Sequence, residues 1–337
     1  MMTKENHSQM SKIERVRKIT SGIRHLDRKA RQNYPLLKKQ NILGGAIFTA
    51  CISIMLVCSF LYVQGALPAL AVILINCLAA SILHELEHDL IHNLYFKERW
   101  QHRFMMWGVW LFRGNTPSPF FRQKIHLHHH RESGQNSDYE ERMIGNGLPW
   151  GPKRIIVMLD QVWSFLLQGR KVIPKTPFSH KESFISSMPI MAMFYFLWHS
   201  FILLFTLSAF DYLPIDLVPI YEILTQIAVC YLIPNVLRQS SIQIISSNMH
   251  YFGDVTPGKA GLVEQTQVLN HWALAPLQIF CFNFGSTHGI HHFVTNQPFY
   301  VRQLISKKAH LFMRGYGMRF NDFTSIRQAN SFIQSNA

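Results

Sequence analysis

Charge is what this chain has least of. Asp, Glu, Lys and Arg make up 15% of it, against about 25% in an ordinary soluble domain, and the deficit is concentrated. No charged residue falls between Gln40 and His84, and none between Ser183 and Phe210. A further apolar segment, Leu217 to Leu237, carries a single carboxylate, Glu222, near its start. Such lengths exclude a water-exposed surface. The first run is long enough for two spans of about 20 residues, and it breaks at Gln64-Gly65-Ala66-Leu67-Pro68, where glycine and proline suit a tight turn. The expected fold is all-α and integral to the membrane. It has four transmembrane helices, at about 43–63, 67–86, 184–208 and 217–237, and a cytoplasmic helical cap.

Cysteine is also scarce. Cys51, Cys58, Cys77, Cys230 and Cys281 all lie in apolar sequence and none forms a Cys-x-x-Cys pair. That excludes a fused rubredoxin or ferredoxin module and offers no disulfide framework. A cleavable signal pattern is lacking too, because a polar, basic segment of some 40 residues precedes the first apolar run and that run continues into a second. No internal repeat or low-complexity tract is present.

Acidic residues number 19 against 33 Lys and Arg, a net charge of +14. The placement of that charge argues for a membrane rather than a nucleic acid. Residues 1–39 hold 11 of the basic residues, residues 93–182 hold 14 and residues 238–337 hold 8, while the two short opposite loops hold none. This is the positive-inside pattern, and it places both termini in the cytoplasm. The chain divides into three regions: a basic cytoplasmic tail over 1–40, a membrane domain over 41–300 and a cytoplasmic C-terminal region over 301–337. The tail reads as a surface helix or a solvated arm. Phe104 to Phe112 is too short to span, and residues 155–169, broken by Asp160 and Gln161, suit an amphipathic interfacial helix.

Histidine is abundant where charge is not. Eleven of 18 fall into four groups, 84/88/92, 126/128/129/130, 250 and 288/291/292, each at the cytoplasmic edge of the expected spans. In His84-Glu85-Leu86-Glu87-His88-Asp89-Leu90-Ile91-His92 the imidazoles recur every fourth residue, so on a helix they share roughly one face. The spacing His-x-x-His-His occurs twice, at 126/129/130 and 288/291/292. Neutral imidazole suits zinc, copper, iron and nickel. Nine or ten ligands exceed one structural zinc site, which needs four, and fit two ions with open positions. Glu85, Glu87 and Asp89 are candidates for fixing the imidazole tautomers from behind. Glu85-x-x-His88 also matches the Glu-x-x-His of ferritin-like sites, which require a second such motif; none is present. His199, in the middle of the third span, reads as a neutral imidazole bonded to a neighbouring helix. His7, His25, His102, His180, His271 and His310 read as ordinary surface or packing residues.

In order, His84-x3-His88 (or His88-x3-His92), His126-x2-His129-His130 and His288-x2-His291-His292 resemble the three histidine boxes of the membrane fatty-acid desaturase superfamily, over roughly residues 45–300. The resemblance implies two non-haem irons held by His84, His88, His92, His126, His129, His130, His250, His288, His291 and His292, on the cytoplasmic side of a four-helix membrane domain. It implies O2 as co-substrate and oxidation of a fatty acyl chain. Some members place an Asn four residues before the extra histidine; here that position is Ser246, and Asn248 is the nearest Asn. His128 is the spare histidine of box two, a candidate for support from behind the ligands, as is Asn248.

Breaking an unactivated methylene C–H bond is beyond acid–base side chains. Electrons are expected from a separate ferredoxin-, rubredoxin- or cytochrome-type donor, and full activity of the purified chain with O2 alone would refute this. The acyl chain is expected to enter a tunnel among the four helices, with Phe104, Trp107 and Trp110 as lining or core. Desaturation is the leading outcome; hydroxylation and decarboxylation of a free fatty acid to a terminal alkene share the same motifs. A membrane metal-binding or metal-transport protein is the non-enzymatic alternative. Against it, transporters put ligands near mid-membrane, and these clusters sit at helix ends.

Overall fold

In lipid, a lone segment satisfies every backbone donor and acceptor only as a helix, and each long uncharged run of this chain is helical. The computed structural model describes residues 10–133, 135–250 and 261–327; His7 lies outside them. In chain order the helices are α1 Lys12–Asn33, α2 Gln40–Val63, α3 Ala69–Ile91, α4 Arg99–Arg113, α5 Pro119–Glu132, α6 Tyr139–Met143, α7 Pro152–Leu159, α8 Gln161–Val172, α9 His180–Ile185, α10 Ile190–Ala209, α11 Val218–Ile227 and α12 Ile233–Ser246. They continue with α13 Leu262–Gln265, α14 Ala275–Phe280, α15 Phe284–Phe293, α16 Phe299–Gly315 and α17 Phe323–Arg327. Two-residue strands β1 Gln267–Val268 and β2 Arg319–Phe320 pair in parallel.

Among the described residues, four helices are long and apolar enough to cross a membrane: Gln40–Val63, Ala69–Ile91, Ile190–Ala209 and the continuous run Ile215–Ser246. The turn between the first two falls where expected, with Gly65 at φ 73°, a conformation that costs glycine nothing. The boundaries differ from expectation in three places. The second span runs to Ile91 instead of 86. The third starts at Ile190 instead of 184, because a capping box at Ser179 and Glu182 starts the separate helix α9. The fourth continues to Ser246 instead of 237, carrying polar residues on a buried face. The expected helix over 155–169 is two helices, because Asp160 adopts extended φ/ψ and accepts from the N–H groups of Val162 and Trp163 at the start of α8.

The helices differ in burial. α2 is mostly lipid-facing, while more than half of the apolar window of α3 is buried, packed by α2, α4, α5, α12 and the π-helical turn Ala228–Leu232 between α11 and α12. That turn has a local cause. Pro234 brings no N–H to the carbonyl of Cys230, and Asn76 of α3 supplies the missing donor across the interface at 2.8 Å. Beyond the spans, Ile19 and Ile23 of α1 pack with Val301, Ile305, Ala309 and Met313 of α16 and with Ile290 of α15. The N-terminal helix is thereby fixed against the segment carrying the third histidine group.

Candidate metal centre

From His84 to Ile91 every residue of α3 is buried, including three carboxylates that cannot remain charged there without partners. The partners are arginines, not the imidazoles expected from sequence. Arg302 of α16 lies 3.1 Å from both Glu85 and Asp89. Asp89 also accepts from the Tyr95 hydroxyl and the Phe299 N–H, each at 2.8 Å. Glu87 pairs with Arg113 and, at 2.6 Å, with Arg122. The charges thus lock α3 to α4, α5 and α16, leaving its histidine face free to meet the other groups.

The groups do meet. His88, His92, His126 and His291 place one ring nitrogen each within 4.8 Å of one another, and His129, His250, His288 and His292 do the same. Box one serves only the first quartet and His250 only the second, whereas boxes two and three are shared between them. His130 sits between, its Nε2 2.9 Å from that of His291 and 3.1 Å from that of His126, and its ring 4.6 Å from that of His292. His84 belongs to neither quartet; it is buried with its ring edge-on to Phe284.

The donor set fits a pair of cations. Nε2 atoms face one another at 3.0 Å for His291 and His92 and again for His292 and His288. Neutral imidazole has one lone pair and one N–H, so this many converging nitrogens cannot satisfy one another. Around a metal with bonds of about 2.0–2.1 Å, ligand nitrogens lie about 3–4 Å apart. Burial, then repulsion from neighbouring imidazoles and Arg302, pushes His92 down to about 3. Burial, then repulsion from neighbouring imidazoles, holds His288, His291 and His292 well below the usual histidine range. These rings stay neutral, as a metal ligand must.

Other groups fix the rings from behind. His126 Nδ1 donates to Glu140 and His129 Nδ1 to Asp138, both at 2.7 Å, which leaves each Nε2 lone pair for the centre. Burial pulls His129 down, but Asp138 outweighs it and lifts the group to about 9, so an ion binding there must displace the Nε2 proton. Burial alone would raise Glu140, yet His126, His129 and Arg122 hold it below the carboxylate range. Ser133 and His250 Nδ1 share a 2.7 Å hydrogen bond. The Arg302 guanidinium lies 3.0 Å from His291 Nδ1. Sequence reasoning passed over Asp138, Glu140 and Arg302. The acidic run Asp138-Tyr139-Glu140-Glu141, just after box two in an acid-poor chain, was the available signal for the first two; nothing local marks Arg302.

Other residues singled out by the sequence stand further from the quartets. His128 turns away from both, donating to the Ser137 carbonyl at 3.0 Å with its ring against Phe178. Asn248 ties α12 to α7, donating to the Ile244 carbonyl and accepting from Arg154. His199 is bonded to Asp160 at 2.9 Å, a neighbouring helix as expected. Phe104 and Trp107 are exposed on α4, while Trp110 is buried in the core and donates to the Thr116 carbonyl.

A chamber of about 60 Å³ borders both quartets: His88 and His126 of the first and His129 and His288 of the second line it, with His84. Across the short helix α6, Tyr139 and Met143 border an apolar cavity of about 270 Å³. A more open hollow of about 890 Å³ is rimmed by Lys38, Lys39, Lys97, Arg99 and Arg103 and touches no histidine of the four groups.

The profile of the fatty acid desaturase family matches residues 64–324. The chain belongs to that family, whose members are oxidoreductases acting on fatty acyl chains in membranes. No curated protein matches it.

Proposed function

We propose that this protein is a membrane di-iron oxidase that removes hydrogen from a fatty acyl chain, desaturation being the first reading. The observation that carries it is the pair of four-imidazole quartets sharing one small chamber. His88, His92, His126 and His291 would hold one iron, and His129, His250, His288 and His292 the other; His130 stands between them and His84 at the margin of the same cluster. Bound there, the irons supply O2 activation and the redox power that no side chain possesses. The protein residues do the rest. Asp138 and Glu140 keep protons on Nδ1 of His129 and His126. Arg302, Arg113 and Arg122 hold the end of α3 in place. The buried surroundings exclude water, which strengthens every electrostatic contact inside.

Desaturation balances as two hydrogens leaving adjacent carbons, with O2, two electrons and two protons completing two waters. The electrons come from a separate ferredoxin-, rubredoxin- or cytochrome-type donor. Hydroxylation and decarboxylation use the same residues and differ in the step after hydrogen removal. The basic residues outside the short loops 64–68 and 210–214 support a cytoplasmic metal centre and cytoplasmic termini, with residues 41–300 as the working unit and the two ends as flanks. A reporter fused in loop 64–68 is expected to read as extracytoplasmic.

The test is metal content with lipid product analysis. Two irons per chain without haem absorption, and reductant-dependent O2 consumption that yields an oxidised acyl chain, support the reading. Tightly held zinc with no lipid product would sink it in favour of metal binding or transport.

A further inference from the structure

The chamber beside the quartets is not lined for hydrocarbon alone. Gln239, Gln243 and Ser246 recur at i, i+4 and i+7 along α12 and so share a face, and all three border this space together with the histidines. Gln239 is 7% and Gln243 2% exposed. Neither polar atom of the Gln243 amide has a hydrogen-bond partner among the described residues, nor does Oε1 of Gln239. Ser246 by contrast is engaged, donating to Glu141 at 2.9 Å. A buried primary amide left unsatisfied is costly, and methylenes cannot satisfy it. The fourth span reaches these positions only because it continues to Ser246.

We infer that Gln243, with Gln239 one turn before it, receives the carboxylic acid end of a free fatty acid, so that oxidation falls near the carboxyl group and not in mid-chain. The inference rests on the oxidase reading above and adds the substrate's head group and the position of attack. A carboxylic acid donates through its O–H and accepts through its C=O, which matches the acceptor and donor of one primary amide in a paired, two-bond ring. Esters and thioesters only accept and leave Gln243 Oε1 unpaired. Arg122, Glu140 and Glu141 also line the chamber, but Arg122 is taken up by Glu87 and the two carboxylates by His126 and Ser246, and burial in this space favours the neutral acid over its anion. A space of about 60 Å³ holds only a few non-hydrogen atoms, so an acid seated on Gln243 presents roughly carbons 2 to 4 to a centre that must approach within about 3–3.5 Å.

The test uses the full-length protein loaded with Fe(II) in nanodiscs. Binding of tetradecanoic acid and of methyl tetradecanoate is measured under nitrogen for the wild type and for Gln243→Met, which conserves size, and Gln239→Met. Turnover with reductant, donor and O2 then gives the position of oxidation by mass spectrometry. The acid is expected to bind about 10-fold or more tightly than the ester. Gln243→Met is expected to erase that preference while keeping the wild-type metal content and ester affinity. Products are expected to be oxidised within the first few carbons or shortened to a terminal alkene. Equal binding of acid and ester would overturn the inference, as would mid-chain products unaffected by Gln243→Met; either leaves the oxidase reading standing. An acid preference lost in Gln243→Met but with no lipid oxidation supports the carboxyl site and sinks the oxidase reading instead.

Discussion

The two imidazole quartets use the same donor atoms and differ in what stands behind them. In the second quartet, Asp138 backs His129 and Ser133 backs His250. In the first, Glu140 backs His126, but His291 faces the guanidinium of Arg302, which also lies 3.5 Å from His88 Nδ1. A carboxylate behind Nδ1–H raises the basicity of Nε2 and tightens a bound metal; a cation in that place does the reverse. The pair is therefore unequal. The second quartet is expected to keep its ion longer under chelator, and the first to exchange it sooner. Equal loss rates for the two ions would erase the distinction.

The largest effect that tests this difference belongs to Arg302. It is buried and pairs with Glu85 and Asp89, so Arg302→Met strands two carboxylates in the interior. Removing one partner of a buried pair costs about 3–5 kcal/mol. Thermal unfolding in detergent should fall steeply, with Arg302→Lys recovering part of the loss. An unchanged midpoint would mean that Glu85 and Asp89 are neutralised by other means.

Next in size is loss of a ligand. His288→Ala opens the second quartet, and His92→Ala the first. Each should leave about one iron per chain instead of two and cut lipid oxidation by at least about 100-fold. Retention of both irons in either variant would break the assignment of that histidine. Smaller again is Asp138→Asn, which keeps shape but removes the charge behind His129. It should weaken retention at the second quartet by about 10–100-fold and leave the first unchanged. If chelator then strips both quartets at the same rate, the carboxylate is the source of the inequality.

How much of the fold and the centre is legible in the sequence depends on range. The box spacing and the four uncharged runs are local, and the structure keeps both, with His88 and His92 on one helix face and the break at Gly65. The division of ligands is not local. Box two gives His126 to one quartet and His129 to the other, and box three divides likewise, which depends on how α5 and α15 cross α3. By sequence, Glu85, Glu87 and Asp89 look like partners for the adjacent imidazoles. On a helix they point to other faces, where Arg302, Arg113 and Arg122 arrive from distant segments. The far end of the fourth span escapes a reading by composition because Arg238, Gln239 and Gln243 look solvent-facing, whereas all three are buried.

The smallest predicted effect separates two neighbouring histidines of box two. His128 and His130 lie two residues apart on α5, about 200° around the helix from each other. His130 meets the quartets through Nε2, while His128 meets the Ser137 carbonyl. His128→Gln should therefore cost no more than one hydrogen bond, about 0.5–1.5 kcal/mol, with both irons and the product unchanged. His130→Gln, an equally modest change in size, should lower iron content and slow oxidation, because it replaces a nitrogen at the junction of the quartets with an amide. If metal analysis shows the two variants to be alike, His130 is a bystander and the centre rests on the eight quartet imidazoles alone.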